Sequence, residues 1–332
     1  MLKKLIIFLI ILFLLLAAGF LFVWREIFLP NSVSSEREAV FSIEKGQGLE
    51  EIALNLEKEG LIKDDLFFKI YALYSSRHKA IKAGAYKIKN NLSIPEILSL
   101  LVEGKTFKIE VIFLEGFNLK QVEKELSDKL DRKVSLDFTV GEFKKDFDFL
   151  SDVPDEELLE GFLFPDTYFF DSAVTDKEIT KIFLKNFGEK FNQKFGEEIK
   201  SKNKKVFETV IMASLLEKEV RTLEEKKMVS GVLWKRIEIK MPLQVDATLA
   251  YLKNGKISII SYEDTKIDSP YNTYKYKGLP KGPIANPGIE SLEAALNPKD
   301  SDYLYYLSTP EGETIFSRTL EEHNIAKAKY IK

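Results

Sequence analysis

Cysteine is absent from the 332 residues, and with it go disulfides, thiolate zinc sites, iron–sulfur clusters, thiol nucleophiles and an acylated lipoprotein cysteine. Histidine occurs only at His78 and His323, far apart in the chain, so a histidine-rich metal centre is not expected. Excess positive charge is missing too: 49 Lys and Arg stand against 52 Asp and Glu, a formal charge of −3. Proteins that neutralise nucleic-acid phosphates carry a basic excess, so no nucleic-acid partner is expected. What the chain does have is apolar material, with 45% hydrophobic and 12% aromatic residues. That is enough for two or three packed domains and too much for global disorder.

Leu5 to Trp24 (LIIFLIILFLLLAAGFLFVW) carries no charge. At about 1.5 Å per residue such a run crosses a hydrocarbon core of roughly 30 Å. Lys3 and Lys4 precede it, and the positive-inside rule then puts residues 1–4 in the cytoplasm and everything beyond Trp24 outside, with Arg25 reducing the asymmetry. Ala17, Ala18 and Gly19 allow a cleaved signal peptide as the alternative, against which the run is longer than an ordinary h-region. The reading is a single-pass transmembrane helix over 5–24, N-terminus inside, and a polar linker over 25–38.

Residues 39–106 read as a small module. It has a strand at Val40–Ile43, a turn at Glu44–Gly48, a helix at Leu49–Glu59 with Leu49, Ile52, Ala53 and Leu56 at helical spacing, and a second helix at Lys63–Ser75. An alternating strand at Ala83–Ile88 follows, and Ser93 with Glu96 forms a capping-box pattern opening a helix at Pro95–Val102. Residues 107–158 begin with a strand at Phe107–Phe113 and a helix at Leu119–Leu130. The segment EGFNLKQVEKEL echoes KGQGLEEIALNL, which suggests a second small βα unit, or else a recurrence of a common supersecondary pattern.

From residue 159 the character changes. Gly161–Phe170 (GFLFPDTYFF) is so aromatic that it must line a core or a groove, with Asp166 free to cap a turn or orient a neighbour. Lys205–Glu219 predicts a helix that is apolar nearly all the way round, hence buried, ending in Glu217-Lys218-Glu219. An ionised carboxylate in a dry site is costly unless it is paired or its pKa rises, and a raised pKa is what a general acid needs. Salt bridges to Arg221, Lys226 or Lys227 are the structural alternative for both glutamates. Asp246 is placed as an N-cap of a helix following LQV. The Pro, Gly and Tyr-rich stretch Ser269–Gly288 reads as an ordered loop whose tyrosines, Asn272 and Thr273 suit sugar rings and amides, or as a rigid scaffold loop. A short helix at Ser291–Leu296, a buried strand at Tyr303–Leu307, a partner strand at Thr314–Phe316 and a C-terminal helix complete an α+β reading.

The segments MASLLEKEV, LQVDATLAY, SPYNTYKYKGLPKGPIANPGIESLEAALNP and FSRTLEEHN, together with GFLFPDTY, resemble the signature segments of the YceG-like (MltG) family of endolytic murein transglycosylases. The module around GQGLEEIA and AGAYKI is similar to a LysM-like peptidoglycan-binding unit. The resemblance covers nearly the whole chain. It implies an inner-membrane enzyme whose catalytic domain, here 159–332, cuts glycan strands internally outside the cytoplasm, beside the penicillin-binding synthases that polymerise them.

By that resemblance the essential carboxylate lies in Glu-Lys-Glu and is carried to Glu219, with Glu217 in reserve because spacing does not separate them. One Glu suffices for such chemistry: it protonates the glycosidic oxygen, then acts as base toward the C6 hydroxyl, which closes a 1,6-anhydro-MurNAc ring, with no metal or cofactor required. Gln244, Asp246, Asn272 and Tyr274 are expected to position substrate or hold Glu219, and Asp166 and His323 to stand behind them. A non-catalytic glycan-binding scaffold and a lysozyme-type hydrolase with Asp246 as second carboxylate remain the competing readings.

Overall fold

A computed structural model describes residues 2–31, 37–172, 174–255 and 260–330. The chain folds as two units, Met1–Glu110 with Phe169–Val174, and Val111–Tyr168 with Thr175–Lys332.

The first unit opens with α1 (Leu2–Phe28), a helix long and apolar enough to cross a membrane. It runs past the expected end at Trp24, so residues 25–28 are helical, and the rest of the expected linker falls partly outside the described residues, at 32–36. A small module follows in the order β1 (Glu38–Ile43), α2 (Leu49–Lys58), α3 (Asp65–Tyr74), β2 (Gly84–Lys89) and α4 (Ile94–Glu103). β1 and β2 pair antiparallel, with Phe41 opposite Tyr86. The alternation that predicted these strands puts Phe41, Ile43, Tyr86 and Ile88 inward, against Ile52, Leu56, Phe68, Ile97 and Leu101 of the helices. The Ser93–Glu96 capping box is formed, its carboxylate accepting from the Ser93 backbone N–H at 2.8 Å and hydroxyl at 2.6 Å.

β3 (Lys108–Ile112) and β4 (Thr167–Asp171) are the strands in which the chain leaves the first unit and returns to it. α5 (Leu119–Leu130) repeats the pattern of α2, with a positive-φ glycine before each helix, Gly46 and Gly116. It belongs to the larger unit nonetheless. The segment read as a second small unit over 107–158 clusters with that larger body from Val111 onward.

The larger unit is built on α6 (Asp176–Ser201), α7 (Val206–Glu219), α8 (Leu223–Glu238), α9 (Asp246–Leu252) and α10 (Ile289–Leu296), followed by the antiparallel pair β5 (Tyr305–Ser308) and β6 (Thr314–Ser317) and by α11 (Leu320–Tyr330). α7 is the hub: Thr209 to Leu216 are all buried, and α8, α9 and α10 pack around it. Of the aromatic run at 162–170, Phe162, Phe164 and Tyr168 are core, with Phe162 and Phe164 meeting Phe187 of α6 at ring centroid separations of 5.2 and 6.5 Å, whereas Phe169 is exposed. Two expectations are corrected here. Asp246 is the first helical residue of α9, with Val245 at the N-cap. The strand around YLYYL is half-buried, with Leu307 the buried residue of β5.

α8 approaches the segment after α10 so closely that a Cβ on Gly231 would lie 2.0 Å from the Lys299 carbonyl oxygen, a backbone atom held in place by the Lys299 N–H bond to Lys227 O at 2.9 Å. Gly231→Ala should therefore destabilise the protein by about 1–3 kcal/mol despite the better helix propensity of alanine, read as a lower urea midpoint.

Candidate active site

α7 ends abruptly, since Val220 is extended at φ −143° and ψ 162°. Its last turn holds Glu217 and Glu219, which project to opposite sides of the helix, two residues or about 200° apart. Burial treats them differently. The Glu217 side chain is 8% exposed and its ion-pair partner Lys226 of α8 is 3% exposed, with Oε1 to Nζ at 3.2 Å. Its Oε2 accepts from the Gly288 N–H at 2.9 Å and from Ser291 Oγ at 2.7 Å, closing the N-terminus of α10. Glu217 thus joins three helices and has both oxygens committed.

Glu219 is partly buried and opens onto a cleft of ≈ 900 Å³ lined also by Asn118, Gln121, Lys218, Asp246 and Tyr251, and onto a smaller one of ≈ 380 Å³. Its Oε2 accepts from the Tyr306 hydroxyl at 2.9 Å. Burial pushes its pKa up to about 7, helped by the negative charge of Asp246 and opposed by the Tyr306 hydroxyl and the Ala247 backbone N–H. The same burial and the Glu219 carboxylate hold the Tyr306 phenol protonated.

The surrounding residues hold this pair. Arg236 of α8, buried, donates to Leu304 O and Leu243 O, both at 2.7 Å, and thereby ties the start of β5 to the segment before α9. Asp246 accepts a hydrogen bond from the Tyr274 hydroxyl. Asn272 is fully buried: its Nδ2 donates to Thr265 O and Ile267 O at 3.0 and 2.7 Å, and its Oδ1 accepts from the Tyr274 N–H at 3.0 Å. Its amide shapes the loop that carries Tyr274 and presents nothing to the cleft. Thr273 Oγ1 accepts from the Val245 N–H at 3.0 Å, pinning the start of α9 and with it Asp246.

Gln244 is exposed, in a left-handed conformation at φ 52° and tied by its N–H to Thr273 O at 3.1 Å; it does not line the cleft. Asp166 lies apart, accepting from Asn186 Nδ2 at 3.1 Å with Lys190 Nζ at 3.7 Å. His323 stacks on Tyr305 at 5.4 Å, its pKa lowered by burial and by the charges of Lys327 and Arg236.

Sequence reasoning missed a second near-neutral carboxyl. Glu160, buried, has its pKa raised to about 7 by desolvation, against hydrogen bonds from the Leu119 N–H at 3.0 Å and the Tyr251 hydroxyl at 3.3 Å. It lines a side pocket of ≈ 260 Å³ that shares Asn118, Lys120, Tyr251 and Asn254 with the main cleft. Tyr306 and Arg236 were missed as well; the tyrosine cluster of YLYYL was the only signal for the former.

Two substitutions separate the glutamates. A folded-state pKa above the usual 4.5 means that Glu219 favours folding when protonated, a contribution present below pH 4.5 and lost as pH rises through about 7. Glu219→Gln should therefore raise the melting temperature relative to the parent at pH 8, by the equivalent of about 2 kcal/mol, and match it near pH 4. Glu217→Gln should do the reverse, destabilising by about 3–5 kcal/mol at neutral pH because Lys226 is left buried and unpaired.

The model of the YceG-like family matches residues 41–329. An endolytic murein transglycosylase of Bacillus subtilis (strain 168) is 34% identical over 332 aligned positions, covering 96% of this chain and 91% of that one. One from Streptococcus pneumoniae (serotype 2, strain D39) is 30% identical, over 96% of this chain and 63% of its own. The crystal structure of a putative yceG-like protein, lmo1499, from Listeria monocytogenes superposes with a TM-score of 0.61 at 31% identity, covering 88% of this chain and all of that one. With the family's match running through both units and past Glu219, the chain belongs to the YceG-like family.

Proposed function

We propose that this chain is a membrane-anchored endolytic murein transglycosylase in which Glu219 is acid and then base. The observation that carries the reading is a carboxyl with a pKa near 7 at the end of a buried helix, open to a cleft of ≈ 900 Å³. Protonated Glu219 donates to the oxygen of the β-1,4 bond between MurNAc and GlcNAc, the C1–O bond breaks, and GlcNAc leaves with its 4-hydroxyl. The resulting carboxylate takes the proton of the MurNAc C6 hydroxyl while O6 bonds to C1, which returns Glu219 to its protonated state and consumes no water. The attacking oxygen belongs to the same sugar, so effective molarity replaces an activated water.

Asp246, in the same cleft, stabilises positive charge developing at C1 and is itself positioned by Tyr274. Lys120, Lys124 and Lys218 along the cleft complement the carboxylates of a peptide-bearing glycan. The strand–helix–helix–strand order of β1, α2, α3 and β2 supports the LysM-like, glycan-holding role for the module. α1, with Lys3 and Lys4 before it, anchors the enzyme N-in at the membrane, where synthases extend the strands whose length it limits. Asp246 also favours one second reading, a hydrolase with two carboxylates, which predicts reducing MurNAc ends.

Incubation with uncrosslinked glycan strands should yield 1,6-anhydro ends, lighter than hydrolysis products by one water, and Glu219→Gln should lower the rate by about 10²–10⁴. Reducing ends, or an unimpaired Glu219→Gln, would refute the proposal. The rate should fall as pH rises through about 7. Tyr306→Phe removes a hydrogen bond that favours the ionised form, so it should move that limb to higher pH; Asp246→Asn removes a like charge and should move it lower.

A further inference from the structure

α3 is an amphipathic helix whose apolar face is only partly used by the protein. Taking Phe68 as the reference and advancing about 100° per residue, Ala72 falls at about 40°, Asp65 and Lys69 at about 60–100°, Leu73, Leu66, Ile70 and Tyr74 at about 140–240°, and Phe67 and Tyr71 at about 260–300°. Phe68 and Ala72 are buried in the module. Asp65 and Lys69 form an ion pair at 2.6 Å on one flank. Phe67 and Tyr71, on the other flank, pack against α1, each at a ring centroid separation of 6.0 Å from Phe22 and Phe28 respectively. The arc between the flanks is wholly apolar and exposed, with Leu66 51%, Ile70 44%, Leu73 55% and Tyr74 86% accessible. A solvated helix face would carry charge there.

What covers that arc follows from its neighbour. Phe22 lies inside the uncharged run that ends at Trp24, about 3 Å of helix rise before it. Ile27 is part of the module's core, and Lys63 reaches Glu26 at 3.5 Å, so α1 enters the module as a continuous helix and not through a slack tether. α3 thus contacts α1 within the apolar run, and its free face continues the same apolar surface.

We propose that α3 is an interfacial helix, with Leu66, Ile70, Leu73 and Tyr74 seated in the headgroup–acyl boundary of the bilayer that α1 spans. This rests on the anchoring reading of α1. The Asp65–Lys69 pair marks the aqueous edge, and the two helices together fix the height of the module above the membrane.

The absence of native cysteine makes single-cysteine spin labelling direct. The full chain, reconstituted in phosphatidylethanolamine–phosphatidylglycerol vesicles, would carry one label at position 12, 51, 70 or 73, and collisions with oxygen and with a water-soluble nickel chelate would be compared. Labels at 12, 70 and 73 should each show an oxygen-to-nickel ratio severalfold above that at 51, on the exposed side of α2. A lipid-like value at 12 with water-like values at 70 and 73 would overturn the interfacial helix and leave the anchor standing. Shielding of 70 and 73 from both reagents would also overturn it, in favour of a second copy or a partner's helix on that face. A water-like value at 12 would remove the anchor itself and the inference with it.

Discussion

The site depends on one buried ion pair. Glu217 and Lys226 are both nearly inaccessible, and two charges taken out of water are tolerable only when they meet each other and their remaining hydrogen-bonding capacity is filled. The Gly288 N–H and the Ser291 hydroxyl fill it on the acidic side. The pair therefore joins α7, α8 and α10 at one point, and two residues further along Glu219 emerges from the end of α7. A Cβ on Gly288 would occupy the place of the Glu115 carboxylate, so any side chain there would displace that group. Glu115 is in turn pushed toward its protonated form by burial and by the negative charge of Glu217.

Two carboxyls in the larger unit have pKa values near 7, and geometry assigns them different work. Glu160 accepts from the first backbone N–H of α5, from Asn286 and from Tyr251, which leaves it a clamp between α5 and the loop at 286. It lines the side pocket, which shares Asn118, Lys120, Tyr251 and Asn254 with the main cleft. Glu219 accepts from the Tyr306 hydroxyl and the Ala247 N–H and lines the main cleft. A raised pKa is common to both; a place in the lining of the main cleft belongs to Glu219.

Elements with strong apolar periodicity were readable from the sequence: β1, α2, β2, α4, α5, α7 and α10 lie within a few residues of where pattern and caps put them. α6 and α8 were not placed, although Thr175 with Glu178 and Thr222 with Glu225 form capping boxes at their starts. The reason in α8 is that two of its inward residues are Lys226 and Arg236, so its buried face looks polar. The same inversion hid half of the site. Asn272 has the chemistry of a ligand-binding amide, yet its polarity is spent inside its own loop. Tyr306 looked like core because it sits in an apolar string, yet its hydroxyl reaches Glu219. Glu217 and Glu219 are alike in sequence context, and only long-range contacts, at separations of 71 and 87 residues, tell them apart.

A single group that must first give a proton and then take one is constrained from both sides. If desolvation acted alone, the carboxyl would stay protonated and make a poor base in the second step; if hydrogen bonds to its charged form dominated, it would be ionised at the start and could not protonate the leaving oxygen. Around Glu219 the two kinds of influence are set against each other: burial and Asp246 on one side, the Tyr306 hydroxyl and the Ala247 N–H on the other. The opposing groups come from separate elements, β5 and α9, and Arg236 binds the chain just before each of them through Leu304 O and Leu243 O. In the proposed reaction, the balance that one carboxyl needs for both steps is thus held by a buried guanidinium that is not itself among the residues lining the cleft.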